Sequence, residues 1–178
     1  VIAARLVRRP NAHAACIFAL GLGALGLLAA PSSGPPRWVW NATQSAPVGL
    51  YRVQPSRPAK VGDWVAVAPP ATLAGWLDQR GYLPTGAVLV KQLAAVEPSV
   101  ACRSGAVVSL DGALVARAQD ADQVGQPLPV WRGCRRLVAG EIFVLTAVEG
   151  SLDSRYFGPL PANSVVGPAR PVWLKGQR

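Results

Sequence analysis

Histidine is nearly missing from this 178-residue chain, and its one copy, His13, precedes the only apolar run long enough to cross a membrane. A triad built on an imidazole needs that ring within hydrogen-bond reach of its nucleophile. If the run spans a bilayer, His13 and everything beyond residue 31 face opposite sides, which excludes histidine-dependent catalysis in the later residues. One histidine and three cysteines, none at ligand spacing, leave no zinc site, and no cofactor is expected. Methionine is absent, so Val1 is either an alternative start or the edge of a longer chain. Acidic side chains are half as many as basic ones, 9 against 18, for a formal charge of +9. The cations of the later residues, among them Arg52, Arg57, Lys60, Arg103, Arg132, Arg135, Arg136, Lys175 and Arg178, are scattered and carry no recognition-helix or RNA-binding motif. No nucleic-acid partner is expected; a surface near anionic membrane lipid is the reading they favour.

What is present begins with that run. Ala14 to Ala30 holds no charge, and a spanning helix takes about 17 to 25 apolar residues. Arg5, Arg8 and Arg9 precede it, which puts the N-terminus in the cytoplasm and the bulk of the chain outside. A cleaved secretory signal is the alternative, and on either account the remainder is exported. The division expected is 1–13 basic cytoplasmic start, 14–30 transmembrane anchor, 31–37 linker (Pro31-Ser-Ser-Gly-Pro-Pro36) and 38–178 exported domain, a length suited to one core. Trp38 and Trp40 follow the linker and are either interfacial residues on the outer membrane surface or core tryptophans. Cys16 falls in the apolar run. Cys102 and Cys134 lie in the exported part, where an oxidising compartment favours a disulfide between them, two free buried thiols being the alternative.

Beyond the linker short alternating runs favour strands: Val48 to Val53, Trp64 to Ala68, Val88 to Val96, Val107 to Leu110, Leu114 to Ala116 and Ile142 to Ala147. Asp111-Gly112 is a two-residue hairpin signal. Thr72 to Arg80 reads as a short helix ended by Gly81. The expected fold is mainly β and antiparallel, with one short helix, behind a single N-terminal transmembrane helix.

Three segments carry candidate chemistry. Lys91 sits in Val88-Leu-Val-Lys-Gln-Leu-Ala-Ala-Val96, where a period of two puts it on one face with Leu89, Leu93 and Ala95. Burial among aliphatic groups disfavours the ammonium and suits the amine to act as a base; a lysine snorkelling from an edge strand is the plain alternative. Ser45 lies before Ala46-Pro47, and a serine hydroxyl needs a neighbouring base to become nucleophilic. Thr43, two residues earlier, would offer its hydroxyl to an oxyanion beside the Ser45 amide, or both hydroxyls serve a polar turn. In Ser151-Leu-Asp-Ser-Arg-Tyr-Phe-Gly-Pro159, an extended backbone would set Ser151, Asp153 and Arg155 on one side, with the acid and base paired and the serine free to orient an amine. An Asx-type turn with a solvated ion pair is the alternative there.

With Asn41 to Arg52 ending in Pro-Val-Gly-Leu-Tyr-Arg, the lysine strand, Gly125-Gln-Pro-Leu-Pro129 and the Ser151 to Pro159 segment in this order, the chain resembles the serine-lysine signal peptidases, most closely their TraF-type conjugative transfer branch. The resemblance implies a signal-peptidase-like catalytic domain with Ser45 as nucleophile, Lys91 as general base, Thr43 as oxyanion donor, Ser151 as the hydroxyl that orients the lysine, and Asp153 with Arg155 as a supporting pair; the aspartate has also been considered functional in that branch. The general housekeeping enzymes usually carry methionine after the nucleophile, whereas Ala46-Pro47 follows the conjugative pattern. Glu97-Pro-Ser-Val100 lacks the family's usual Gly-Asp.

The resemblance further implies an enzyme of the bacterial inner membrane, single pass, with its catalytic domain in the periplasm. It would cut an exported precursor, a pilin prepeptide, at small residues through an acyl-enzyme, and then release it to water or cyclise it. A conjugation or secretion apparatus is the implied partner. A general type I signal peptidase and a catalytically silent periplasmic scaffold are the competing readings.

Overall fold

The computed structural model describes residues 34–176; the expected anchor at 14–30, the basic start at 1–13 and Cys16 lie outside the described residues. Among those described, no helix is long and apolar enough to cross a membrane. The alternating runs form strands: β1 Trp38–Asn41, β2 Gly49–Val53, β3 Trp64–Val67, β4 Leu89–Val96, β5 Val100–Ser104, β6 Val107–Leu110, β7 Ala113–Arg117, β8 Gly133–Arg136, β9 Glu141–Leu145, β10 Leu160–Pro161 and β11 Val165–Leu174. The predicted helix is α1, Ala71–Gln79, and the left-handed Gly81 (φ +71°) ends it by donating to the Asp78 carbonyl. A single further turn, α2, spans Ser154–Phe157.

Every strand pairing is antiparallel. A seven-stranded sheet runs β1-β2-β11-β3-β4-β9-β10, and a four-stranded sheet runs β7-β6-β5-β8. At the predicted hairpin both turn residues take positive φ, Asp111 at 50° and Gly112 at 84°, as a two-residue turn between twisted strands requires. A disulfide joins Cys102 on β5 to Cys134 directly opposite on β8.

Strand β4 lies inside the large sheet and is covered on both faces. Val90 joins the cluster of Ala46, Tyr51, Val53 and Ala66. Its neighbour Lys91 faces the other way, opposite Val65 of β3 and on the side of Leu93, itself opposite Val144 of β9. Burial on both faces removes the clean in-out alternation of a half-exposed strand. A register shift between Leu93 and Ala95 turns the far end of the strand over, so that Ala95 packs with Phe143, Ala101 and Val108 in a different cluster. Leu89 and Leu93 do share the lysine's face. Ala95 does not, because the extra residue of a bulge reverses the alternation.

Strand β11 ties the large sheet together. Its first half pairs with β3 and its second with β2, with a register shift between Pro171 and Trp173. The approach to β2 is close: a Cβ built on Gly49 would stand 2.1 Å from the Trp173 carbonyl oxygen and 2.9 Å from Leu174 Cα. Backbone cannot yield there as a flexible side chain would. Gly49→Ala is therefore expected to destabilise the domain by about 1–3 kcal/mol or more, the cost of overpacking. A urea midpoint equal to wild type would show that β11 can move aside.

Trp38 and Trp40 are each 55% exposed, and Trp40 stacks on Trp173 with ring centroids 5.5 Å apart. The core reading of these two residues fails, because they sit on the outer side of the terminal hairpin rather than under it.

Candidate active site

Lys91 is 2% exposed, and its Nζ donates to Ser151 Oγ at 2.7 Å. Burial is the main cause that lowers its pKa from 10.5 to about 8; the charge of Asp153 opposes this and that of Arg155 adds to it. The snorkelling alternative fails because β4 is an interior strand with the amine enclosed. Ser151 is itself buried and follows β9 after a five-residue connection, 146–150, so strand and loop together set the lysine's partner.

The loop beyond Ser151 is fixed by the paired acid and base. Arg155 Nε donates to Asp153 Oδ1 at 2.8 Å and its Nη2 to Oδ2 at 3.0 Å, with side-chain exposures of 2% and 0%. The remaining capacity of the carboxylate is taken by backbone: Arg155 N donates to Oδ1 and Thr146 N to Oδ2. The alternative of a solvated ion pair fails. So does the assumption of a fully extended segment, since Asp153 is extended but caps α2, and Arg155 lies within its turn. The pair converges through a helix cap rather than through strand alternation.

Ser45 occupies the turn that joins β1 to β2. Its Oγ lies 3.0 Å from Thr43 Oγ1, within a turn rather than an extended segment. The hydrogen bonds of Ser45 and Lys91 thus go to different partners, Thr43 and Ser151. Packing nevertheless draws the two segments together: Ala46, next to the serine, is buried in one cluster with Val90, next to the lysine. Ser45 opens on a groove of about 360 Å³ whose lining includes Trp38, Trp40, Thr43, Tyr82 and Leu89. One wall is β1, which ends the seven-strand order and has neighbours on one side alone.

Two residues that sequence reasoning left without a role hold this turn. Asn41 is buried and bonds to three backbone carbonyls and to Thr43. Tyr51, fully buried, donates its hydroxyl to the Pro47 carbonyl at 2.7 Å. The available signal was an amide side chain placed directly before a polar loop, since Asn readily bonds to nearby backbone. No group of three or more His, Cys, Asp and Glu side chains converges as a metal site among the described residues.

A mainly antiparallel β domain, with a lysine buried against a serine and a second serine at the mouth of a groove, is the setting of a serine-type peptidase. Residues 11–174 match the signal peptidase family, peptidase S26, and the chain belongs to that family. Within it the relatives include conjugal transfer proteins. A probable conjugal transfer protein TraF of Sinorhizobium fredii (strain NBRC 101917 / NGR234) is 38% identical over 141 residues, 74% of each chain. The conjugal transfer protein TraF of Agrobacterium fabrum (strain C58 / ATCC 33970) is 34% identical over 145 residues, 75% of this chain and 80% of its own. These likenesses make it a signal peptidase of the TraF type. A crystal structure of a signal peptidase I from Enterococcus faecalis V583 covers 63% of this chain and 97% of its own at a TM-score of 0.35 and 17% identity, too loose an overlay to carry residue correspondences.

Proposed function

We propose that this protein is a membrane-anchored endopeptidase with a Ser45–Lys91 dyad that removes the signal sequence of an exported precursor, a pilin subunit of a conjugation apparatus. The observation that carries the reading is the enclosed Lys91 amine held by Ser151. With a pKa of about 8, about a tenth of the amines are neutral at pH 7, some 300-fold more than at 10.5. A neutral amine can take the Ser45 proton once the serine turns from Thr43, and Oγ then attacks the scissile carbonyl. The Ser45 amide and the Thr43 hydroxyl receive the oxyanion, a contribution of about 2.7 to 4 kcal/mol per donor in characterised sites. Lys91 returns the proton to the leaving amine. The acyl-enzyme is then released by water, or by the product's own amino terminus to give a ring.

The precursor would lie in the groove beside β1 as an added strand, which supplies backbone bonds at the free edge and leaves small pockets to select the side chains. Residues 14–30 would anchor the chain in the inner membrane with 38–178 in the periplasm, and the exposed Trp38 and Trp40 would rest at the lipid surface. The conjugative names of the relatives support the choice of a pilin precursor.

Co-expression with candidate pilin precursors, with the product read by mass spectrometry, tests the reading. Ser45→Ala is expected to leave the precursor uncut, and wild type to give a mature product whose mass, with or without one water, separates linear from cyclic. Processing by Ser45→Ala at the wild-type rate would sink the dyad. Loss of bulk secretion on deletion, instead of loss of conjugative transfer alone, would point to a general signal peptidase.

A further inference from the structure

We infer that Asn41 is a positioning residue that holds the proton of the oxyanion donor in reserve until substrate arrives; this rests on the reading of Ser45 and Thr43 given above. Asn41 closes the base of the β1–β2 hairpin, paired with Gly49, and its side chain reaches into the loop that carries the nucleophile. Its Nδ2 bonds to the carbonyls of Thr43 at 2.8 Å, Ala46 at 2.9 Å and Pro47 at 3.2 Å. Three acceptors around one end of the amide fix its orientation, because only the NH₂ end has protons to give, and its two protons are shared among the three.

The other end then has one role. Oδ1 accepts the hydroxyl proton of Thr43 at 3.2 Å. A threonine hydroxyl has one proton, so the 3.0 Å contact between Thr43 and Ser45 must be filled by the proton of Ser45. The resting order is Ser45 to Thr43 to Asn41, and it has two consequences. The nucleophile's proton is committed to Thr43 rather than to the base, and the donor meant for the oxyanion is engaged by Asn41. A developing oxyanion is a stronger acceptor than a neutral amide oxygen, so it draws the Thr43 proton from Oδ1. The same carboxamide keeps the turn's backbone in place while that exchange occurs. Asn41 bonds to neither Ser45 nor Lys91, and it acts through Thr43.

Steady-state cleavage of a precursor peptide in detergent micelles, using the full chain, tests this with a double-mutant cycle. Thr43→Val is expected to lower kcat about 100-fold, as loss of one oxyanion donor does. Asn41→Ala is expected to lower kcat about 30-fold or more, with KM within about threefold, and to add less than about fivefold once Thr43 is Val, as coupled residues do. Thr43→Ser, which keeps the hydroxyl, is expected to restore the full Asn41 effect. Should Asn41→Ala fail to fold, Asn41→Asp is the second variant. It keeps volume and acceptor, replaces the NH₂ donor of three carbonyls by an oxygen, holds the Thr43 proton in a charge-assisted bond, and should lower kcat at least tenfold. An Asn41→Ala variant that is folded and within threefold of wild type overturns the inference. So does one whose loss multiplies unchanged in the Thr43→Val background, and so does an unaffected Asn41→Asp. Ser45→Ala is run alongside: if it cleaves, the dyad itself is wrong, whereas an inactive Ser45→Ala beside an unaffected Asn41 variant removes this inference alone.

Discussion

Lys91→Met is expected to abolish precursor cleavage, lowering kcat by about 10⁴-fold or more, the scale set by a base and nucleophile acting as a unit. Wild-type kcat/KM should rise with pH and level off above about 8, because only the neutral amine can accept the serine proton. The same shift bears on stability. In the unfolded chain Lys91 titrates near 10.5, and in the fold near 8, so between those values the unfolded state binds more protons and stability rises with pH. Below pH 8 the full cost is felt, roughly 3 kcal/mol for a shift of this size. Methionine is about as long, apolar and uncharged. The variant should therefore be inactive yet no less stable than wild type at pH 7, and the wild-type gain in stability between pH 8 and 10.5 should vanish in it, both read by urea denaturation. A pH–rate limb near 10, or a variant that unfolds, would mean that the amine is hydrated and charged in the native state.

Asp153→Asn should do the opposite to stability. The carboxylate accepts two bonds from the Arg155 guanidinium and two from backbone amides, all out of contact with water. Asparagine leaves an uncompensated buried guanidinium, a loss of about 3–5 kcal/mol. Set against a typical total of about 5–15 kcal/mol, that is a large part of the fold's stability. A second effect separates the electrostatic role from simple unfolding. The negative charge of Asp153 raises the pKa of Lys91 against its burial, so whatever folded enzyme remains should show its pH–rate limb below 8. A urea midpoint close to wild type would show that Arg155 finds another partner; an unmoved limb would show that the aspartate charge does not reach the amine.

The parts of this molecule that could be read from sequence are those where periodicity meets burial. The lysine strand, the strand from Gly49 to Val53, the Asp111-Gly112 hairpin and the helix ended by Gly81 all announce themselves through local residue chemistry. Strand β11 does not: Pro168 and Pro171 lack amide protons, and proline within a run argues against an interior strand. The ladder tolerates them because β11 changes partner and shifts register where they occur. Strands β5 and β8 read Val-Ala-Cys-Arg-Ser and Gly-Cys-Arg-Arg, with little apolar alternation, and their pairing is long-range. Ala95 was misplaced for a related reason, since a bulge leaves no mark in a run of alanines.

At the site, residue type revealed which groups have chemistry to offer but not which ones meet. Lys91 and Ser151 are 60 positions apart in the chain, and their contact depends on the placement of β4 against β9. The cap that Asp153 places on α2 has a local signal, an acid followed two residues later by the amide it accepts, but the alternation of polar residues pointed to an extended strand instead. Asn41 was visible only as a letter in a motif, because its importance is the count of backbone atoms that surround it.

The partner change along β11 bears on when the enzyme can act. The hairpin with Ser45 lies on one side of this strand and the lysine strand on the other, and β11 is the latest described strand in chain order. Without β11 a gap separates β2 from β3 that no other described strand fills. Closure of the sheet therefore waits on the last strand, and a chain cut short before residue 165 would lack the in-sheet link between the Ser45 hairpin and the lysine strand.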